Sequence, residues 1–315
     1  MPDQSAQERQ PLLSLIYLIL ITAAGGVVFT VIAYGIGILV YGPQIIGESA
    51  AALTGNDGRG INFLKMVQMA STAGLFIFPA LIFARIESNS PYSFLKLNTP
   101  VKPSLILLGT VLMFASSPLL ELTVSLNKQM QLPDFLAGLE SWMRQNEDKL
   151  EKLTIKLLQT NTISDFWINM VMIALLPAIG EELLFRGCLQ RIIAKSIKNY
   201  HVAIWVAAAI FSAIHMQFYG FVPRMLLGAL FGYLLVWSNS IWIPILAHFI
   251  NNATTVIISY VYQLQGKSLE KLVNEETYGG NLILYVFSFI LTAVLLRYFY
   301  IKTTEHQQDY GKTVD

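Results

Sequence analysis

The chain has 315 residues, 54% of them hydrophobic and only 13% charged, with a formal net charge of +1. Soluble domains carry about 25% charged residues, so this composition excludes that class, and the scattered basic residues leave no footprint for nucleic acid. A single cysteine, Cys188, excludes an intrachain disulfide.

A membrane span needs roughly 20 apolar residues. The polar start Met1–Gln10 followed by the long run 12–41 fits a first membrane helix better than a cleavable signal. Further spans are expected at 62–85 and 104–127, with Glu121 in the latter, after Ser116-Ser117-Pro118, read as a packing polar group, the alternative being a secondary cavity residue. From 128 to 163 the pattern changes. Leu136, Leu139, Met143, Leu150, Leu153 and Leu157 recur at three-and-four spacing, with Glu140, Glu147, Asp148, Lys149, Glu151 and Lys152 on the other faces. This predicts an amphipathic helix on the membrane surface or over the bundle; a lid over substrate entry is the sharper reading.

Later spans are expected at 166–195, 202–217, 224–238, 242–263 and 281–301. The total is about eight, each of the length that hydropathy requires. Two of them are short and one carries His248, Asn251 and Asn252, which suits helices packed around an internal cavity. The fold class is therefore an all-α, polytopic integral membrane protein with an intramembrane cavity and an amphipathic interfacial helix, one membrane domain over 1–315. Short loops bearing Lys96, Lys102, Lys195 and Lys198 favour both termini on the cytoplasmic side.

Charged residues inside apolar spans are functional candidates by default. Glu181-Glu182-Leu183-Leu184-Phe185-Arg186 is such a cluster. On an α-helix Glu182 and Arg186 stand four apart and share a face, whereas Glu181 is rotated by about 100°. The reading is a division of labour: Glu182 and Arg186 neutralise each other, and Glu181 stays available as a general base. An ion pair that only fixes packing explains Glu182 and Arg186 well, but not a second carboxylate. Pro177 is expected to kink this helix upstream of Gly180 and open room there.

His215 and His248 follow in separate apolar stretches. A lone buried histidine is more often a hydrogen-bonded core residue than a catalyst, and His201, beside Tyr200 at a helix boundary, is given no role. His248 and Asn252, however, are i,i+4 partners whose N–H groups could donate to a developing oxyanion.

Glu-Glu-x-x-x-Arg (Glu181, Glu182, Arg186), then Phe-x-x-x-His (Phe211, His215), then His-x-x-x-Asn (His248, Asn252), each in a successive membrane helix, resembles the CPBP family. These are the CAAX prenyl-endopeptidase and bacteriocin-processing, or Abi, intramembrane proteases. The resemblance covers a motif core at 165–255 and implies a glutamate-dependent endopeptidase acting within the bilayer. In that scheme Glu181 activates water with help from His215, His248 and Asn252 stabilise the oxyanion, and Glu182 and Arg186 support them. No cofactor is expected. Zinc held by Glu181, His215 and His248 is the alternative, since a catalytic zinc site needs three protein ligands. Expected partners are a peptide or protein substrate, free or membrane-anchored, and the lipid bilayer, in a bacterial cytoplasmic membrane. Competing functions are a non-catalytic scaffold or bacteriocin-immunity protein and a proton-coupled transporter, the latter disfavoured because the chain shows no related halves.

Overall fold

The computed structural model describes residues 10–52, 58–274 and 282–312. The polar start before Gln10 and the extreme C-terminus, for which the cytoplasmic side is expected, lie outside these residues. Nine main helices follow in order: α1 Pro11–Tyr41, α2 Gly58–Glu87, α3 Pro103–Lys128, α4 Ala137–Leu158, α5 Ile163–Ile197, α6 Tyr200–Ala213, α7 Phe218–Ser238, α8 Trp242–Leu264 and α9 Leu282–Thr304. The described residues contain no strand. All but α4 and α6 are long and apolar enough to cross a membrane, seven in total, and the chain is an integral membrane protein.

Each of the eight expected spans is a helix, but α6 is shorter than its expected 202–217 and is not counted among the seven. Its 14 residues extend about 21 Å at 1.5 Å per residue, short of a ~30 Å hydrocarbon core. Both ends have local causes. The Asn199 side chain accepts from the His201 and Val202 N–H groups and caps the start. At the other end the chain turns through Ile214–Met216, with Met216 at φ 55°. His215 therefore stands in a turn just past the helix.

The helices differ in how much of their apolar surface the protein covers. The most apolar window of α5 is 56% buried, against 17% for α1 and 22% for α9. So α5 is the central helix, and α1 and α9 present most of their side chains to lipid. That is why the most charged of the membrane-spanning segments is also the one best shielded from lipid.

Two of these helices loosen into π turns just ahead of a proline. Ala73–Ile77 precedes Pro79 in α2, and Met170–Leu175 precedes Pro177 in α5. Proline lacks the N–H that the carbonyl four residues earlier would use, and its ring crowds that carbonyl, so the upstream turn widens. The π turn of α2 packs on the Leu176–Glu181 stretch of α5, where a Cβ on Gly180 would crowd Phe76. On its other side the same turn meets α1 backbone to backbone. A Cβ on Gly25 would strike the Gly74 carbonyl oxygen, and one on Gly74 would lie 2.5 Å from the Gly25 carbonyl oxygen. Backbone cannot rotate away as a side chain does. We expect Gly74→Ala to lower stability by about 1–3 kcal/mol, the cost of overpacking, read as a lower melting midpoint in detergent.

Helix α4 does not cross the bundle but lies against its end. Asn146 Nδ2 donates to the Met216 carbonyl at 2.7 Å, the Tyr219 N–H donates to Glu147 at 3.3 Å, and Lys156 Nζ donates to the Ala52 carbonyl at 2.9 Å. Phe135, Leu139 and Trp142 stay exposed at and before its N-terminal half, as suits a helix at a membrane surface. The amphipathic pattern thus yields a cover seated on the turn that carries His215.

Candidate active site

Glu181 closes the α-helical stretch Leu176–Glu181, and Glu182 opens a further π-helical stretch, Glu182–Leu189. The expectation of plain α-helical geometry here is corrected: the backbone widens where the charges sit. The expected contact forms nonetheless, with Arg186 Nη1 donating to Glu182 Oε1 at 2.9 Å and both side chains almost fully buried. Arg186 also donates through Nη2 to the Gly228 carbonyl at 3.0 Å. Its guanidinium lies 4.5 Å from the Phe211 ring and 5.5 Å from Phe231, a cation–π contact on desolvated rings. A Cβ on Gly228 would come within 3.2 Å of the guanidinium, so glycine leaves the space the arginine fills.

His248 comes from nearly two turns inside α8 and joins the same carboxylate. Its Nδ1 is 2.8 Å from Glu182 Oε1, whereas Nε2 is 3.9 Å from Glu181 Oε2. The ring stacks on Phe231 with centroids 5.2 Å apart and planes at 23°. Glu182 therefore receives both Arg186 and His248 on one oxygen, while its Oε2 is buried with no hydrogen-bond partner among the described residues. Glu181 is different. It is 8% exposed, and no donor among the described residues lies within hydrogen-bond range of its carboxylate.

His215 is half-buried in the turn after α6, and its Nδ1 stands 2.7 Å from the Phe211 carbonyl. A carbonyl only accepts, so Nδ1 carries the proton and the neutral ring has its lone pair on Nε2. Phe211 itself touches His215, His248, Phe185 and Arg186 through its ring and orders the centre of the site.

Asn252 is held by a different route from the one the spacing suggests. Its Nδ2 donates to the Ile173 carbonyl at 3.1 Å, and its Oδ1 accepts from Asn251 at 3.1 Å. Ile173 lies four residues before Pro177, so it is the carbonyl that an α-helix would have bonded to the N–H proline lacks. One Asn252 proton thus satisfies the proline kink, and the amide has a second.

Arg224 on α7 is the residue that motif reading passes over. It is half-buried, its Nη2 donates to Gln217 Oε1 at 2.7 Å, and its Nη1 is buried without a partner among the described residues. Its charge acts on Glu181, on Glu147 and on His215. A signal was present: Phe-Val-Pro-Arg-Met-Leu-Leu holds a lone guanidinium in an apolar run. Across from it, burial holds the Glu147 carboxyl of α4 above the usual carboxylate range, partly offset by the Tyr219 N–H. Beneath α4 a cavity of about 220 Å³ is lined by Glu147, Glu151, Ile155, Gln217 and Ser259. Among the described residues, no three His, Cys, Asp or Glu side chains converge at metal-ligand spacing.

Residues 163–254, which contain all three motifs, match the family model Rce1-like, described as type II CAAX prenyl endopeptidase Rce1-like. The resemblance read from the motifs holds. This CAAX-endopeptidase-like segment runs from the start of α5 into α8 and includes every motif side chain placed above. The uncharacterized protein YpbD of Bacillus subtilis (strain 168) is 32% identical over 89 residues, 27% of this chain and 42% of that relative. The matched stretch thus spans less than half the length of that curated relative. No solved structure gives a significant match.

Proposed function

We propose that the chain is an intramembrane endopeptidase in which Glu181 activates the attacking water. The observation that carries this is the asymmetry of the two carboxylates. Arg186 and His248 both bond Glu182, while Glu181 stands unbonded beside His248 Nε2 at 3.9 Å. That spacing is too long for a direct bond and short enough for one water to touch both groups.

In this mechanism Glu181 takes a proton from water as the oxygen attacks the scissile carbonyl carbon. His215, with its Nε2 lone pair free, accepts from the same water and orients it. The tetrahedral oxyanion is stabilised by His248 and by the second Nδ2 proton of Asn252. Because His248 Nδ1 already faces Glu182, an N–H from Nε2 requires the doubly protonated ring. Collapse breaks the C–N bond, and the proton held by Glu181 passes to the leaving amine. Glu182 and Arg186 position His248 and the helix. The substrate is a peptide or membrane-anchored protein, met in a bacterial cytoplasmic membrane. The family match over the motif core and the buried Glu181 carboxylate, which makes no hydrogen bond among the described residues, support the reading.

The test compares membranes containing the wild type with membranes containing Glu181→Gln by quantitative terminal proteomics. Peptides that appear with the wild type only are the expected result; identical profiles would refute the proposal.

A second reading has one observation in its favour, the approach of Glu181 to His248. Zinc bound there with His215 would polarise the carbonyl and the water instead. We expect metal analysis of purified protein to find no stoichiometric zinc. Zinc at one per chain, lost in His248→Ala, would replace the metal-free mechanism.

A further inference from the structure

On the side of the bundle away from α4, a cavity of about 280 Å³ opens between the end of α5, the start of α6, the end of α7 and the Pro91–Phe94 turn. Its walls are apolar, with Leu95, Ala203 and Leu235 among them, and its outer charged groups are Lys96 and Arg191. None of the residues lining it is acidic. The motif helix forms its floor through Arg186 and Gly187.

The Arg191 side chain and the Lys96 backbone are both held in place. Arg191 Nη1 donates to the Phe94 carbonyl at 2.7 Å, and its guanidinium lies 4.1 Å from the Phe94 ring centre. Lys96 has φ 58°, a left-handed backbone that a side-chain-bearing residue adopts only when its surroundings impose it. Here the Leu97 N–H bonds the Tyr92 carbonyl at 2.9 Å, and the Lys96 carbonyl accepts from the Ile241 N–H at 3.4 Å. Partial burial, with Arg191 nearby, holds the Lys96 ammonium below the usual lysine range. The carboxylate acting on Arg191 is Glu87, which lies outside the lining and accepts the Ser14 hydroxyl at 2.9 Å. The cavity thus gathers two cations that repel each other and lack an anion of its own.

Its depth can be read from the aromatic residues around it. Tyr92, Tyr200 and Trp242 are all exposed at this level, and Trp242 Nε1 donates to the Leu97 carbonyl. Exposed Tyr and Trp collect where a membrane protein meets the headgroups. A cationic cleft with apolar walls at that level matches a phosphate that carries acyl chains.

We propose that this cavity binds the phosphate headgroup of an anionic phospholipid, with Lys96 and Arg191 on the phosphate and the apolar walls along the first carbons of an acyl chain. The site is separate from the proposed chemistry and does not depend on it. Its occupant would bear on Arg186, and so on the helix that holds Glu181 and Glu182.

The test uses full-length protein in nanodiscs of equal phosphatidylglycerol and phosphatidylcholine, with retained lipids counted by native mass spectrometry. Lys96→Asn removes the charge with a residue that tolerates the left-handed backbone. Arg191→Gln removes the other charge independently. Each should lower phosphatidylglycerol retention about fivefold, and the pair about thirtyfold, from the usual contribution per basic residue. Lys198→Asn is the control, since Lys198 is also left-handed at φ 57°, at the α5–α6 junction on the same side, but outside the lining. It should leave retention unchanged. Retention unaffected by the two cavity variants, or lowered equally by Lys198→Asn, would overturn the proposal. A thermal shift with inorganic phosphate, in protein that shows no preference for phosphatidylglycerol, would assign the cavity to a free anion and overturn the lipid.

Discussion

Glu181→Gln is expected to lower peptide-bond cleavage roughly 10²–10⁴-fold, the range for losing a positioned general base, without loss of membrane insertion or helix content. Glutamine has nearly the same shape as glutamate. Among the described residues the Glu181 carboxylate makes no hydrogen bond, so the substitution breaks none, and the Arg186–Glu182–His248 chain stays whole. Most of the loss should fall on kcat with KM little changed, because the group acts on the water and leaves substrate contacts intact. The measurement is steady-state cleavage, over a range of concentrations, of a quenched fluorescent peptide that the wild type cleaves, with circular dichroism on the same samples. Cleavage within threefold of wild type would remove Glu181 from the mechanism. An unfolded variant would instead make Glu181 a packing residue.

For Glu182 the expected effect lies in stability. Glu182→Leu removes the one oxygen that both Arg186 and His248 bond, leaving a guanidinium between Phe211 and Phe231 with the Gly228 carbonyl as its remaining acceptor. Taking one partner from a buried ion pair costs about 3–5 kcal/mol, since the other charge stays desolvated. Folded proteins have about 5–15 kcal/mol in total, so the melting midpoint in detergent should fall steeply. Two companions separate charge from shape. Glu182→Gln keeps a carbonyl acceptor and should recover part of the loss. The double variant Glu182→Leu, Arg186→Met removes both charges and should melt above Glu182→Leu alone. A Glu182→Leu midpoint equal to wild type would mean that the ion pair does not hold this site together.

The spans and the amphipathic helix were legible because both are properties of one segment at a time. Hydropathy over 20 residues and a three-and-four repeat need no knowledge of neighbours. The Glu182–Arg186 contact was legible for the same reason, and it forms at 2.9 Å even though the turn widens to π geometry. The partner of His248 was not legible. Spacing placed it with Asn252 as a pair of donors, but whether an imidazole on α8 meets Glu181 or Glu182 on α5 depends on how two helices rotate against each other. The role of Asn252 at the Ile173 carbonyl was out of reach as well, since it joins a proline in one helix to an amide in another. Arg224 was visible as a charge in an apolar run and was counted only as the edge of a span.

From its sequence alone this chain is an all-helical membrane protein with a few ionisable residues, Glu181, Glu182 and Arg186 foremost, inside its apolar spans. Both conclusions follow from what lipid excludes, and lipid acts on each residue by its chemistry. Only the tertiary structure decided that Arg186 and His248 converge on Glu182 and leave Glu181 unbonded, that α6 stops short and puts His215 in a turn, and that α4 sits over that turn. Those outcomes rest on side chains brought together from segments far apart in the chain. Their distances are set by helix packing, which local periodicity does not encode.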